Sequence, residues 1–299
     1  MDNGNAAAST ATEQDQAEIR ALGLAPYIEE LETVGYTILP PEKVGPPELA
    51  DQVLEATLRV IEARTGARPD MAAGNTRQDL PQAAENHDWL IFDDPIFEGL
   101  LMNPASLALV THLLTTGNEP LRPAAIQLQD RRPNCLLMTH NILLKGPGER
   151  PLHLHCDNGL MPGPFPTFQQ ICNTTLLLTD YSKENGALCF MPGSHRWVRH
   201  PTPAERFDYD KVVAVEAPKG SLVVWGGNTW HGAFPRQVPG LRATNVFTYC
   251  REYLPADVGE VPQEMIDRNG PRFAELMGKH AFRISRRPAP ASPVATAAT

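Results

Sequence analysis

The chain has 299 residues, 42% of them apolar, and a formal net charge of −9. That length suits one domain of roughly 250 residues with tails, or two smaller ones. The acidic balance argues against a nucleic-acid or anionic-membrane partner, and no run of about 18 apolar residues offers a membrane span.

Residues 1–20 are small and polar, without the basic-then-apolar shape of a secretory leader. They read as a disordered arm on a cytoplasmic protein. Residues 27–33 suit a short helix feeding a strand at 36–39. Apolar residues at Leu49, Val53, Leu54, Leu58 and Ile61 recur at helical spacing over 47–63, with Gly66 beyond the end. Asn103-Pro104 opens a second helix over 105–114. From residue 124 the pattern changes to short runs bounded by Pro, Gly and Asn. The runs at 125–129, 135–144, 152–156, 171–179, 187–191, 212–215, 221–225 and 243–251 give about eight strands. Strands in that number after N-terminal helices predict a mainly β fold with flanking helices, a double-stranded β-helix of the jelly-roll, cupin-like type. Residues 261–281 suit a final helix interrupted at Asn269-Gly270-Pro271, and 284–299 a mobile tail. One domain over 21–283 results. Five cysteines (135, 156, 172, 189, 250), odd in number and without a Cys-x-x-Cys, read as reduced buried thiols.

The chemistry is concentrated in two places. His155-Cys156-Asp157 puts two ligand types at i and i+2, which share one face of a strand while Cys156 points away. His231 follows Asp157 by 74 positions, after the strand 221–225 and a Gly226-Gly227 turn, and Arg242 lies 11 positions further on. Two imidazoles and a carboxylate form the facial set that suits Fe(II), with positions left open for other ligands. His153 lies on the same strand face, so a His153/His155 pair is an alternative, and zinc could fill such a site.

The order of these motifs resembles the phytanoyl-CoA dioxygenase-like enzymes, which depend on Fe(II) and 2-oxoglutarate. Glu184-Asn185-Gly186-Ala187-Leu188, running into Met191-Pro192-Gly193-Ser194-His195, is similar to the family's Asn-Gly and Pro-Gly-Ser-His segment. Lys219 to Trp225 and then Trp230-His231 resemble its strand into the distal His, and Val34 to Pro40 its opening strand. The likeness spans residues 27–253. It implies that His155, Asp157 and His231 hold the iron and that Arg242 pairs with the far carboxylate of 2-oxoglutarate, with Asn173 and Thr175 beside the cosubstrate. Two departures stand out: Thr175 where the family often has Trp, and Ala233 where it often has Ser or Thr.

The resemblance implies oxidation of a small organic metabolite with O2, by hydroxylation, desaturation, epoxidation or rearrangement, releasing succinate and CO2. Natural-product biosynthesis is one setting, and the protein would be a monomer or homodimer. A jelly-roll metal-binding or sensor protein without turnover is the alternative. The Gly- and Pro-rich stretch 158–168 must be loop. It could close over the substrate with Met161, Phe165 and Phe168, or simply cover the barrel; Gln127 is a further candidate substrate contact. His195 reads as structural or as supporting the ligands; Lys145, Arg131 and Arg132 could bind an anionic substrate, but residues of this type are usually solvated surface.

Overall fold

The computed structural model describes residues 15–74, 85–115, 135–148, 150–159, 161–256 and 258–279. Gln127, Arg131, Arg132, the strand expected over 125–129 and the C-terminal tail lie outside them. Residues 15–21 are helical and Ile19 is buried in the core, so the expected N-terminal arm is shorter at its inner end. An apolar residue there has a surface to bury against.

Helix α1 (Ala25–Val34) leads into β1 (Tyr36–Leu39), followed by α2 (Pro41–Val44), α3 (Leu49–Thr65), β2 (Glu85–Asp88), α4 (Pro95–Leu101) and α5 (Pro104–Thr115). Then come β3 (Cys135–Lys145), β4 (Leu152–His155), β5 (Ile171–Leu177), β6 (Leu188–Phe190), β7 (Val213–Ala214), β8 (Leu222–Gly226), β9 (His231–Ala233), β10 (Arg242–Arg251) and α6 (Gln263–Leu276). Gly270 and Pro271 break α6 where the sequence predicts an interruption; Gly270 has φ 80°. β2, β9, α2 and α4 go beyond the elements expected from sequence.

The strands form two antiparallel sheets, in the orders β1-β8-β5-β10-β3-β2 and β4-β9-β6-β7. Strands β3 to β10 are shared between the sheets so that 8-5-10-3 faces 4-9-6-7, the wiring of a double-stranded β-helix. The helices cover the outer face of the larger sheet. There Leu109, Val110, Ile142, Phe247 and Tyr249 share one buried cluster, and α5 packs on β3, β5, β8 and β10. Between the sheets, Tyr36, Phe190, Val223 and Trp225 close one end. The middle is looser. Thr139, Asn141 and Leu143 of β3 and Val246 and Thr248 of β10 point inward and are only half-buried, while their outward neighbours His140, Ile142 and Phe247 are buried. An inner face that is more open than the outer one marks a cleft between the sheets.

Candidate metal centre

Strand pairing brings the two sequence motifs together. β4 runs antiparallel to β9 with His155 opposite His231. The two strands approach closely at Gly232, where a Cβ would lie 2.5 Å from the Leu152 carbonyl. The turn after β8 docks on the same segment: Asp157 N donates to the Gly227 carbonyl at 3.0 Å, and the Asn158 amide donates to Asn228 Oδ1 at 2.5 Å.

His155, Asp157 and His231 each offer a ligand atom, and these lie within 4.8 Å of one another. Asp157 Oδ1 is 3.7 Å from His155 Nε2, and Oδ2 is 3.5 Å from His231 Nε2. Both histidines are oriented alike. His155 Nδ1 meets the His153 carbonyl at 3.0 Å and His231 Nδ1 the Thr229 carbonyl at 3.1 Å. A carbonyl can only accept, so the Nδ1 positions carry the protons and both Nε2 lone pairs are left for an ion. Burial, followed by the His231 charge, pushes the His155 pKa down to about 4, so its imidazole is neutral at physiological pH. Asp157 is fixed as well: its Oδ2 accepts from Asn173 Nδ2 at 2.6 Å and from Trp225 Nε1 at 3.1 Å. Two imidazoles and a carboxylate, without a thiolate, fit Fe(II). His153 is outside this cluster; its ring is 5.7 Å from that of His155.

Asn173 therefore stands differently from the expectation. Its amide donates to Asp157 and its oxygen accepts from Thr248 Oγ1 at 2.7 Å, so both ends of its side-chain amide are engaged within the protein. Thr175, two residues further along β5 on the same inward face, is buried with its hydroxyl unpartnered. Arg242 enters from β10 beyond it. The guanidinium is buried, lies over the Tyr181 ring with 4.9 Å to the centroid, and donates to the Gly186 carbonyl, while Nε is unpartnered. Arg236 is unsuited to the same task, because its three nitrogens donate to the carbonyls of Gly240, Asn185 and Pro239. Lys145 corrects the surface reading. It is paired with Arg242 across β3 and β10, points inward, and donates to the Phe234 carbonyl at 2.8 Å.

The loop after Asp157 is not over the metal ligands. Phe165 is buried with Leu154, Cys156, Cys189 and Trp230 on the outer face of the smaller sheet, and Met161 packs against the same cluster. His200 latches it there. Its Nε2 donates to the Met161 carbonyl at 2.8 Å, so Nδ1 accepts from the Cys156 thiol at 3.2 Å. Strand alternation is the reason: Cys156 faces outward, and the chain turns to that side once past Asp157. Phe168 lies under the Arg251 guanidinium at 4.5 Å, half-exposed.

The Pro-Gly-Ser-His turn supports β9. Ser194 Oγ donates to the Met191 carbonyl at 2.6 Å and accepts from Trp230 N at 2.9 Å, one residue before His231. Gly193 N donates to the Val34 carbonyl at 2.9 Å. Gly35, in the left-handed region at φ 93°, leaves the space that His195 and Thr229 fill; a Cβ would be 2.6 Å from His195 Nδ1. His195 is thus structural. A separate cavity of about 220 Å³ between the start of β3 and α6, lined by Leu136, Val258 and Leu276 among others, includes none of these residues.

The same sequence pattern occurs in known proteins. Residues 31–244 match the family model of phytanoyl-CoA dioxygenase (PhyH). Dioxygenase af480 of Aspergillus fumigatus is 28% identical over 189 residues, covering 62% of this chain and 55% of that one. The chain thus spans about half the length of this curated relative. Among solved structures, HygX from Streptomyces hygroscopicus, with nickel and 2-oxoglutarate bound, aligns with a TM-score of 0.58 at 15% identity, over 78% of this chain and 89% of that one. The α-ketoglutarate-dependent epimerase SnoN, from nogalamycin biosynthesis, aligns with a TM-score of 0.53 at 18% identity, over 78% and 84%. At such identities the structural likeness concerns the fold, a double-stranded β-helix. With the family model covering well over half of its length, the chain belongs to the phytanoyl-CoA dioxygenase family.

Proposed function

We propose that this protein is a non-haem Fe(II)- and 2-oxoglutarate-dependent dioxygenase that oxidises a small organic molecule in natural-product biosynthesis. The observation that carries this reading is the convergence of His155, Asp157 and His231, with both Nδ1 positions already bound to the chain's own carbonyls. Membership of the family and the likeness to HygX and SnoN support it.

In this reading His155, Asp157 and His231 hold the iron. When bound, iron and 2-oxoglutarate supply the oxidation of a substrate C–H bond by O2, with the cosubstrate converted to succinate and CO2. The chain's part is to bind, orient and exclude water. Arg242 has one guanidinium edge fixed on Gly186 and Nε unpartnered. A buried cation of that kind is suited to the far carboxylate of the cosubstrate. The Thr175 hydroxyl, also unpartnered, lies between Asn173 and the Arg242 end of the sheet and can donate to the same molecule. Asn173 and Trp225 keep Asp157 aimed, since both donate to Oδ2. The inward half-buried residues Thr139, Asn141, Leu143 and Val246 leave room for the substrate beside the ligands.

The test is succinate formation from 2-oxoglutarate with added Fe(II), in air and under nitrogen. Oxygen-dependent succinate release, lost when Asp157 is replaced by Ala, is expected. A protein that binds iron but releases no succinate with any candidate metabolite would instead be a metal-binding module without turnover.

A further inference from the structure

We propose that the single turn Glu205–Phe207 is the substrate-selecting lip of this site, and that it takes a molecule with an apolar body and an anionic carboxylate or phosphate head, through Phe207 and Arg206. This rests on the reading of the cleft as the substrate site.

Phe207 is 65% exposed, although it is a large apolar side chain. Its ring is 6.2 Å from that of His153, and His153 is 5.7 Å from His155. An aromatic track therefore leads from a ligand-bearing histidine out to the surface. Because the His153 ring lies beside that of His155, a ring against His153 stands next to the ligand-bearing end of β4.

The turn is held at both flanks. Arg199 donates through Nη1 and Nη2 to the Glu205 carboxylate at 2.8 Å each, and Thr202 donates to Glu205 Oε2 through N and Oγ1, also at 2.8 Å. On the other side Tyr209 OH donates to the Leu152 carbonyl of β4 at 2.8 Å. These bonds fix an apolar ring in water where it stabilises nothing in the core, and exposed apolar area costs about 25 cal/mol per Å². Such a ring gains its contacts when a ligand covers it. Arg206, next to it on the turn, is exposed, with no acidic partner among the described residues. A cation at the mouth of a site in a chain of net charge −9 selects for an anion. The substrate would then lie with its apolar body along Phe207 and His153, its reacting carbon inward and its anionic group outward.

Full-length protein loaded with Fe(II) and 2-oxoglutarate under nitrogen can be titrated calorimetrically with decanoate, decyl phosphate and decanol, each below its micelle-forming concentration. The anions are expected to bind roughly fivefold tighter than the alcohol, a preference of the size an exposed ion pair gives. Arg206→Gln should remove that preference and leave decanol unchanged. Phe207→Ala should weaken all three by about fivefold or more, because stacking area is lost. Both side chains are exposed, so unchanged melting temperatures are expected for the variants. The tighter of the two anions identifies the head group. Equal binding of all three probes to the wild type, no binding of any, or indifference to Phe207→Ala would overturn the proposal. Binding of 2-oxoglutarate to the protein loaded with Fe(II) alone, measured in a separate titration, tests the proposed function separately from the lip.

Discussion

The Asn173 side-chain amide donates to Asp157 Oδ2 at 2.6 Å, and the Asn173 oxygen accepts from Thr248 Oγ1 at 2.7 Å. One residue of β5 thus ties the carboxylate of the cluster to β10 and fixes its orientation. Partners of this kind change metal affinity by roughly 10–100-fold when removed. Asn173→Ala is expected to weaken Fe(II) binding within that range while the protein stays folded. Asn173→Asp should be worse, because it sets a second negative charge against Asp157. Calorimetric Fe(II) titration measures this; unchanged affinity in both variants would mean that Asn173 does not position the ligand.

The three ligands form the second test. His155→Ala, Asp157→Ala and His231→Ala should each abolish tight iron binding and succinate release, since two remaining side chains hold a labile divalent ion poorly. Normal Fe(II) affinity in all three would move the metal elsewhere.

Arg242 carries a separate expectation. Arg242→Lys keeps the charge and loses the planar fork. It should raise the 2-oxoglutarate KM by roughly tenfold, about 1.4 kcal/mol, with little effect on iron affinity. The same loss should appear without turnover, as a smaller rise in melting temperature on adding 2-oxoglutarate. An unchanged KM would assign the far carboxylate to another residue; Lys145, paired opposite Arg242, is the residue to test next.

The metal motif was legible because the i, i+2 spacing of an extended run points His155 and Asp157 to one side; in the structure β4 ends at His155, and Asp157 is held there by its N–H on the Gly227 carbonyl. Seven of the eight expected strands, β3 to β8 and β10, were legible as short runs bounded by Pro, Gly and Asn; the eighth, at 125–129, lies outside the described residues. What the sequence hid depends on register and on the third dimension. Lys145 looks like any surface lysine until the β3–β10 pairing sets it beside Arg242 on the inner face. β2 is Glu-Asn-His-Asp, whose polar composition conceals an edge strand, and β9 has only three residues. In the loop 158–168 no periodicity exists to say which side of the smaller sheet Met161 and Phe165 would cover. Their side is decided by His200 and Cys156, 44 residues apart in the chain.

That placement changes what Phe165 should do. It is buried in the outer cluster and meets the His200 ring edge-on, with 4.7 Å between centroids. Phe165→Ala should therefore cost about 3–5 kcal/mol of stability, the usual price for removing a buried aromatic side chain. Urea unfolding reads this directly. The ratio of substrate oxidised to 2-oxoglutarate consumed should stay near the wild-type value under conditions where the variant is folded. A loss of coupling without loss of stability would return the loop to the substrate.

Acid should reveal a second buried imidazole, far from the cluster. His140 lies on the helix-covered face of β3, where Ile91 N donates to its Nδ1 at 3.1 Å and its Nε2 meets Asn245 Oδ1 at 2.9 Å. Burial pushes its pKa down to about 4 from the ordinary 6.5. The unfolded chain therefore binds a proton there at a pH where the folded chain does not. The neutral form's contribution is full above pH 6.5 and is lost as the pH falls through that value toward about 4. The whole span is worth on the order of 3 kcal/mol. Gln can accept from Ile91 and donate to Asn245 without titrating, so His140→Gln should flatten the stability–pH curve between pH 6.5 and 4 by close to one proton. Urea unfolding of both proteins at several pH values in that window measures the slope. His155 titrates in the same range but is common to both proteins, so the difference between them isolates His140. Parallel curves would mean that the site is already protonated in the folded chain.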